Sequence, residues 1–216
     1  MHLSLSKWLG SKLVFGSRRQ KSTCRITRKP AGLCDVFINH RGMDTKRNIA
    51  ALLYDRFVHL NLNPFIDYKS MKPGDELLQN IEAAIRDCKV GVVIFSPHYC
   101  DSHFCLHELA LLIENEKVVI PIFYDVKPSE LVLVDDGSYS AKELHRFKLA
   151  IERAKRRVGF PFDSFNGDWS DLLKRASDSV VEVLMEFDAK IDKEVKQKRV
   201  VVNKWTKMEI HDQLIK

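Results

Sequence analysis

The sequence predicts an α/β domain with a doubly wound parallel sheet, and two observations lead to this prediction. Residues 90–96 and 118–124 are almost continuously apolar and rich in β-branched side chains, as is typical of central parallel strands that helices cover on both faces. Amphipathic helical patterns lie between the strand candidates. This alternation predicts parallel pairing with right-handed crossovers.

The first half of the chain supplies two more strand candidates, at residues 34–39 and 62–67. Pro64 interrupts the second one, and because proline has no amide donor we expect that strand at or near an edge of the sheet. An amphipathic helix is predicted between them, over residues 45–60.

Side-chain oxygens predict where three helices begin, because Asp, Ser and Thr accept hydrogen bonds from first-turn amides. The helix over residues 45–60 is expected to begin at a cap of Asp44 or Thr45. Asp75 is the expected cap of a second helix, which turns Leu77 and Leu78 toward the core. A third helix, which ends near residue 116, is expected to be capped by Asp101 or Ser102.

The pattern loosens after residue 125. It predicts a basic amphipathic helix over about residues 139–157, a loop at 160–167 and a long helix from 169 to about 187. We therefore divide the chain into a basic disordered tail at 1–32, a domain at 33–187, and a charged tail at 188–216 that is helical only in part.

The charge is concentrated in the first segment of the chain. Residues 1–34 carry eight Lys or Arg and no acid, which leaves 27 basic against 29 acidic residues in the remainder. A near-neutral domain argues against a basic nucleic-acid groove. The tail suits a disordered segment or an organellar transit peptide, and it lacks the apolar core of a secretory signal.

Five cysteines without a CxxC pair indicate free thiols in a reducing compartment. We expect a cytoplasmic protein, with plastid or nucleus as the alternative because of the basic tail. No apolar run in the sequence approaches the length of a membrane span, so no membrane partner is expected.

Residues 102–109 form the junction between the strand at 90–96 and the helix that follows it. Helical spacing places Leu106, Leu109 and Ile113 on one face, and it turns Glu108 to the other face, one turn from Phe104. Open α/β sheets bind ligands at the carboxyl ends of their strands. Glu108 is therefore a candidate site residue, and a solvated surface glutamate is the alternative.

Other chemistry has weaker support. His103 and His107 have the spacing of two ligands on one helix, but the closing histidine of a zinc protease motif is missing, and we expect surface histidines and no metal. The sequence has no GxGxxG, no GxxxxGK[ST] and no GxSxG.

Five blocks, in order, resemble the TIR (Toll/interleukin receptor/resistance) domains of plants. They are DVFINHRGMDT at residues 35–45, FID at 65–67, MKPGDEL at 71–77, SHFCLHEL at 102–109 and PIFYDVKPS at 121–129. The resemblance implies a flavodoxin-like fold with strand order 2-1-3-4-5. No nucleotide-binding or leucine-rich-repeat region follows, so we expect a TIR-only protein.

For many plant members the resemblance further implies cleavage of NAD+ at the nicotinamide–ribose bond, with NAD+ as substrate and no cofactor. It makes Glu108 the catalytic residue and places Arg41, Gly42, Ser102 and Phe104 at the substrate, with Arg41 on the diphosphate. It also links one further residue, Cys105, to a second activity that makes 2′,3′-cyclic nucleotides from nucleic acid.

The loop with Lys72, Pro73 and Gly74 matches the loop that the family uses in self-association. The resemblance thus implies homo-oligomers through TIR–TIR contacts, and other TIR proteins as further partners. A non-catalytic adaptor that works only through such contacts is the competing function. Phe104 stands where the family signature usually has Trp, which mildly favours the adaptor because Phe offers less stacking area and no N–H.

Overall fold

The computed structural model describes the backbone of residues 34–214 and the side chains of residues 34–199, so the predicted tail at 1–32 lies outside it. The strands are β1 Val36–His40, β2 Pro64–Phe65, β3 Val90–Phe95, β4 Val118–Tyr124 and β5 Phe160–Phe162. The helices are α1 Gly42–Thr45, α2 Ile49–His59, α3 Asp67–Ser70, α4 Leu77–Asp87, α5 His103–Glu114, α6 Ala141–Lys155 and α7 Trp169–Leu214.

All five strands pair in parallel, in the order β2-β1-β3-β4-β5. This confirms the predicted doubly wound sheet and its strand order. Because successive side chains of a strand point to opposite faces, the sheet builds two cores. One core lies between the sheet and α4, α5 and α6. The other lies between the sheet and α2 and α7.

The sequence pattern predicts the two edge strands poorly. One of them is shorter in the structure than predicted, and the other was not predicted. Pro64 does lie in an edge strand, as predicted, but β2 has only two residues and Asp67 already begins α3. Residues 160–167 were predicted to be a loop, and this is wrong for the first three, which pair with β4 as β5. Three residues that include Pro161 are too few to show a period, and an edge position tolerates the missing amide donor.

The predicted helix over residues 45–60 begins later than expected, as α2 at Ile49, and a separate short helix, α1, precedes it. α1 ends at Thr45, and α2 begins after Asn48, whose Oδ1 accepts from the Ile49 amide at 2.7 Å. The expected cap Asp44 instead uses its carboxylate in two other contacts, with Arg41 and Ser96.

α4 also begins differently from the prediction. The carboxylate of Asp75 accepts from the Lys72 amide at 2.8 Å and does not cap the helix, whose first residue is Leu77. Leu77 and Leu78 are exposed and do not turn toward the core. Burial on α4 begins at Ile81, in its second turn.

α7 is one continuous helix of 46 residues, so the prediction of a stop near residue 187 with partial helix beyond it is wrong. The sequence from 169 to 214 contains neither Pro nor Gly to end the helix. Leu172, Ala176, Val180 and Leu184 recur every four residues and pack into the second core. Within residues 34–214, no helix combines the length and the apolar character that a membrane span requires.

Candidate functional site

The site lies at the carboxyl edge of the sheet, where β1 and β3 end and α5 begins. Ser102 caps α5 as predicted, since its Oγ accepts from the Cys105 amide at 3.4 Å. Leu106, Leu109 and Ile113 are buried, as the spacing predicts. This anchoring against the core fixes the rotation of α5 and so determines which side chains face the end of β1.

Glu108 is a partly buried residue whose carboxylate faces β1. Its Oε2 accepts a hydrogen bond of 2.7 Å from the side-chain amide of Asn39. Burial raises the pKa of Glu108 to about 8; the Asn39 hydrogen bond opposes this, and the Asp67 carboxylate adds to it. The alternative of a solvated surface glutamate is therefore wrong. The Glu108 carboxylate thus contacts the end of β1, while Phe104, one turn earlier on the same face of α5, stays about half exposed.

Asn39 is a residue of the site that the sequence reasoning missed. It is fully buried in β1, and its amide also donates to the main-chain carbonyl of Cys105 at 3.2 Å. Its Oδ1 accepts from the hydroxyl of Tyr99, which is fully buried as well. A polar amide inside an otherwise apolar strand was the available signal, because a buried amide must find partners.

Arg41 follows β1 directly and forms an ion pair of 2.6 Å with Asp44. The other oxygen of Asp44 accepts from Ser96, at the end of β3, at 2.6 Å. These contacts hold the guanidinium at the same sheet edge as Glu108. A guanidinium carries five N–H donors, so this pair leaves donors for a second anion. Gly42 begins α1, and nothing lies within 4 Å of the place where a side chain would start.

Phe104 lies in the first turn of α5, four residues before Glu108, and its ring is about half exposed. Residues four apart on a helix are neighbours on its surface. The ring meets His103 edge-on, with centroids 6.1 Å apart. An exposed aromatic face beside the carboxylate is what a stacking surface for a planar ligand requires.

Cys105 is buried, and its Sγ donates to the main-chain carbonyl of His40 at 3.4 Å. Burial raises the pKa of the thiol to about 12. Such a thiol packs α5 against the end of β1 and carries little thiolate at neutral pH. A role for Cys105 in a second activity stays a prediction, and it would require the thiol to become accessible.

The TIR domain family matches residues 34–154. Over 151 residues the chain is 52% identical to the probable 2′ cyclic ADP-D-ribose synthase BdTIR of Brachypodium distachyon, a match that covers 68% of this chain and 67% of that protein. It is 28% identical to TMV resistance protein N of Nicotiana glutinosa, over 74% of this chain but only 15% of that protein.

The chain belongs to the TIR domain family.

A solved structure supports the same assignment for the fold. The TIR domains of the activated Roq1 resistosome, which directly recognises the pathogen effector XopQ, match with a TM-score of 0.59 and 28% identity. The match covers 68% of this chain and 99% of that chain. The resemblance that the sequence blocks indicated is thereby confirmed at the level of family and fold.

The expected self-association loop of this TIR domain is exposed and built as a tight turn. The Asp75 amide donates to the Lys72 carbonyl at 3.0 Å, with Pro73 second and Gly74 third in the turn. Gly74 has a φ of +98°, which suits the third position of a type II turn and strains any other residue. Along the chain the turn follows α3, whose first residue, Asp67, acts electrostatically on the Glu108 carboxyl.

Two further features of the TIR domain lie outside the cluster. His103 and His107 stack with ring centroids 6.1 Å apart, and among the described residues no three His, Cys, Asp or Glu side chains are arranged to hold a metal ion. A cavity of about 690 Å³ lies at the ends of β4 and β5, lined by residues that include Phe123, Asp125 and Phe165, and Glu108 is not among them.

Proposed function

We propose that this protein cleaves NAD+ at the bond between nicotinamide and ribose, with Glu108 as the catalytic carboxylate. One observation carries the proposal: Glu108 is partly buried at the carboxyl edge of the central strands and held there by the amide of Asn39. Membership of the TIR family and 52% identity to a probable 2′ cyclic ADP-D-ribose synthase support it.

The chemistry requires only one carboxylate. Nicotinamide is bound to ribose as a pyridinium and leaves as a neutral molecule, so no general acid has to protonate it. Glycosidases that expel an alkoxide need two carboxylates for this reason. As the bond breaks, positive charge develops on the ribose, and the ionised Glu108 stabilises it in a setting where water is partly excluded.

The neighbouring residues have separate roles in this proposal. Arg41, held by Asp44, binds the diphosphate with the donors that the ion pair leaves. The exposed ring of Phe104 stacks on a planar ring of the substrate. Gly42 allows close approach to the backbone of α1, and Ser102 fixes the first turn of α5.

The product depends on what captures the ribosyl cation after nicotinamide has left. Capture by water gives ADP-ribose, whereas capture by a hydroxyl group of the same nucleotide gives a cyclic ADP-ribose; in both cases the O–H that attacks releases its proton. The name of the Brachypodium relative refers to a cyclic product, and we propose an ADP-ribose-type signalling nucleotide here. Since relatives include proteins named for disease resistance, we place this signal in plant defence and cell death.

We further propose that the active form is an assembly of TIR domains joined through the turn at Lys72, Pro73 and Gly74. The TIR domains of the Roq1 resistosome come from an assembled receptor. In this chain the turn is exposed, and a main-chain hydrogen bond from Asp75 to Lys72 closes it. It is therefore available to a second copy.

The test is to incubate the purified full chain with NAD+ and measure free nicotinamide by chromatography. We expect release from the wild-type protein and a loss on the order of 100-fold or more in Glu108→Gln, which keeps the shape of the side chain and removes its charge. Equal release from both proteins would remove Glu108 from the chemistry. No release from a folded, assembled wild type would favour the non-catalytic adaptor.

A further inference from the structure

Asn39 and Tyr99 form a buried polar pair behind Glu108, and no role in the expected site accounts for them. Every polar atom of the Asn39 amide has a partner. Nδ2 donates to the Glu108 carboxylate at 2.7 Å and to the Cys105 carbonyl at 3.2 Å, and Oδ1 accepts from the Tyr99 hydroxyl.

The chemistry of these partners allows only one orientation of the amide. A main-chain carbonyl such as that of Cys105 can only accept, so the NH2 group must face it. A flipped amide would set its oxygen against that carbonyl and against the Glu108 carboxylate. The hydroxyl of Tyr99 supplies the donor that Oδ1 needs, and it thereby fixes the amide with its N–H toward Glu108.

We propose that Tyr99 and Asn39 are a positioning pair, in which the Tyr99 hydroxyl orients the Asn39 amide and the amide holds the Glu108 carboxylate for the reaction. Tyr99 acts through Asn39, because its hydroxyl donates to the Oδ1 of that amide; the Cys105 carbonyl, 3.1 Å from the same hydroxyl, is a second acceptor that shares the one proton. The consequence for catalysis rests on the proposed function. The coupling of the three side chains does not depend on that function.

The surroundings of Glu108 explain why this bond matters. The Asp67 carboxylate, from α3, disfavours the charge of Glu108, and so does burial. The thiol of Cys105 and the phenol of Tyr99 are neutral, because burial raises the pKa of each. The Asn39 N–H favours the ionised form of Glu108. Without it, burial and Asp67 are unopposed and the carboxyl ionises at higher pH.

The experiment compares Asn39→Ala, Tyr99→Phe and a control, Tyr124→Phe. The control removes a hydroxyl from another asparagine–tyrosine pair, since Asn48 donates to the Tyr124 hydroxyl at 3.2 Å. Titration of the Glu108 carboxyl is followed by carbon-13 NMR without NAD+, with Glu108→Gln to assign the signal. Nicotinamide release is measured over the same pH range.

We expect the midpoint of Glu108 to rise by about one pH unit in Asn39→Ala, the scale for a lost hydrogen bond to a charged group. Tyr99→Phe should raise it by a smaller amount, and Tyr124→Phe should leave it unchanged. The rate of nicotinamide release should fall more at pH 7 than at pH 9.5. If Asn39 and Tyr99 served only the folding of the protein, both variants would lose thermal stability, but the midpoint of the Glu108 titration would stay at its wild-type value.

If the midpoint of the Glu108 titration is unchanged in Asn39→Ala and in Tyr99→Phe, the proposal that these residues position the carboxylate is wrong. If Asn39→Ala does not fold, Tyr99→Phe decides alone, because it keeps the ring that packs on Phe95 with centroids 4.7 Å apart. If the wild type releases no nicotinamide, the proposed function fails. The NMR midpoints still decide whether Tyr99 and Asn39 control the carboxyl.

Discussion

The side-chain amide of Asn39 donates a 2.7 Å hydrogen bond to the carboxylate of Glu108, 69 positions later in the chain. The bond joins the end of β1 to the exposed side of α5. Packing against β1 partly buries a glutamate that helical spacing merely turns away from the core; this burial raises the pKa of Glu108, and the Asn39 hydrogen bond opposes the rise. The predictions that follow depend on this environment or on the surfaces next to it.

Nicotinamide release should increase with pH. Burial raises the pKa of Glu108 to about 8, and only the ionised carboxylate can stabilise the developing cation. We therefore expect kcat/KM to rise through a midpoint near pH 8 and to level off above it. Rates measured from pH 6 to 10 at constant ionic strength provide the check. A flat profile would mean that ionisation of Glu108 does not control the reaction.

Replacing Glu108 by Gln should stabilise the fold at high pH. With a folded pKa of about 8, above the ordinary value of 4.5, the native state holds a proton that the unfolded state has released between those values. Stability therefore falls as pH rises through this range. We expect Glu108→Gln to exceed wild type by on the order of 2 kcal/mol at pH 9. The gain should vanish near pH 4.5, which denaturant titrations at both pH values will show.

Truncating Phe104 should impair substrate use with little effect on stability, because its ring is about half exposed. We expect Phe104→Ala to lose about 1–3 kcal/mol of transition-state stabilisation, the scale for a stacking contact. Phe104→Trp should preserve or raise activity. Val158→Ala, which truncates another exposed apolar side chain, serves as the control. Unchanged kinetics in Phe104→Ala would show that the ring does not meet the substrate.

Activity should depend on assembly through the turn at Gly74. Specific activity of the wild type should rise with protein concentration, and Gly74→Arg should abolish the rise by placing a bulky charge at the contact. Gly137→Arg is a matched control, because Gly137 is also exposed, with a φ of +81° and open space around it. Both variants should lose about 1–2 kcal/mol of stability through left-handed strain. Equal activities for the two would argue against an interface at Gly74.

Much of the fold could be predicted, because it depends on patterns that are local in the sequence. The continuous apolar run of β4 matches the observed strand residue for residue, and Pro64 marks an edge strand. β5 has only three residues, which are too few to show the two-residue alternation of a strand. The far end of α7 was missed because its density of charged residues resembles that of a tail, although neither Pro nor Gly breaks the helix there.

The candidate site was harder to predict because its decisive contact is not local. Helical spacing places Glu108 opposite Leu106 and Leu109, but it does not reveal that the end of β1 covers that face. Family resemblance indicated Glu108 and Arg41 as candidate site residues, and it was silent on Asn39 and Tyr99. The polar amide of Asn39 in an apolar strand was a local signal, but its bonds to Glu108 and Tyr99 are recognised only when the strand and the helix are seen together.

The parallel pairing of β1 with β3 has a consequence for refolding. All of α1 to α4 lies between these strands in the chain, so the pairing closes a long loop, and contacts of this kind form slowly. Helices can recover early from local interactions, whereas the Asn39–Glu108 contact must wait for the pairing. After dilution from denaturant, the helical circular dichroism signal should therefore return first, and nicotinamide release should return last.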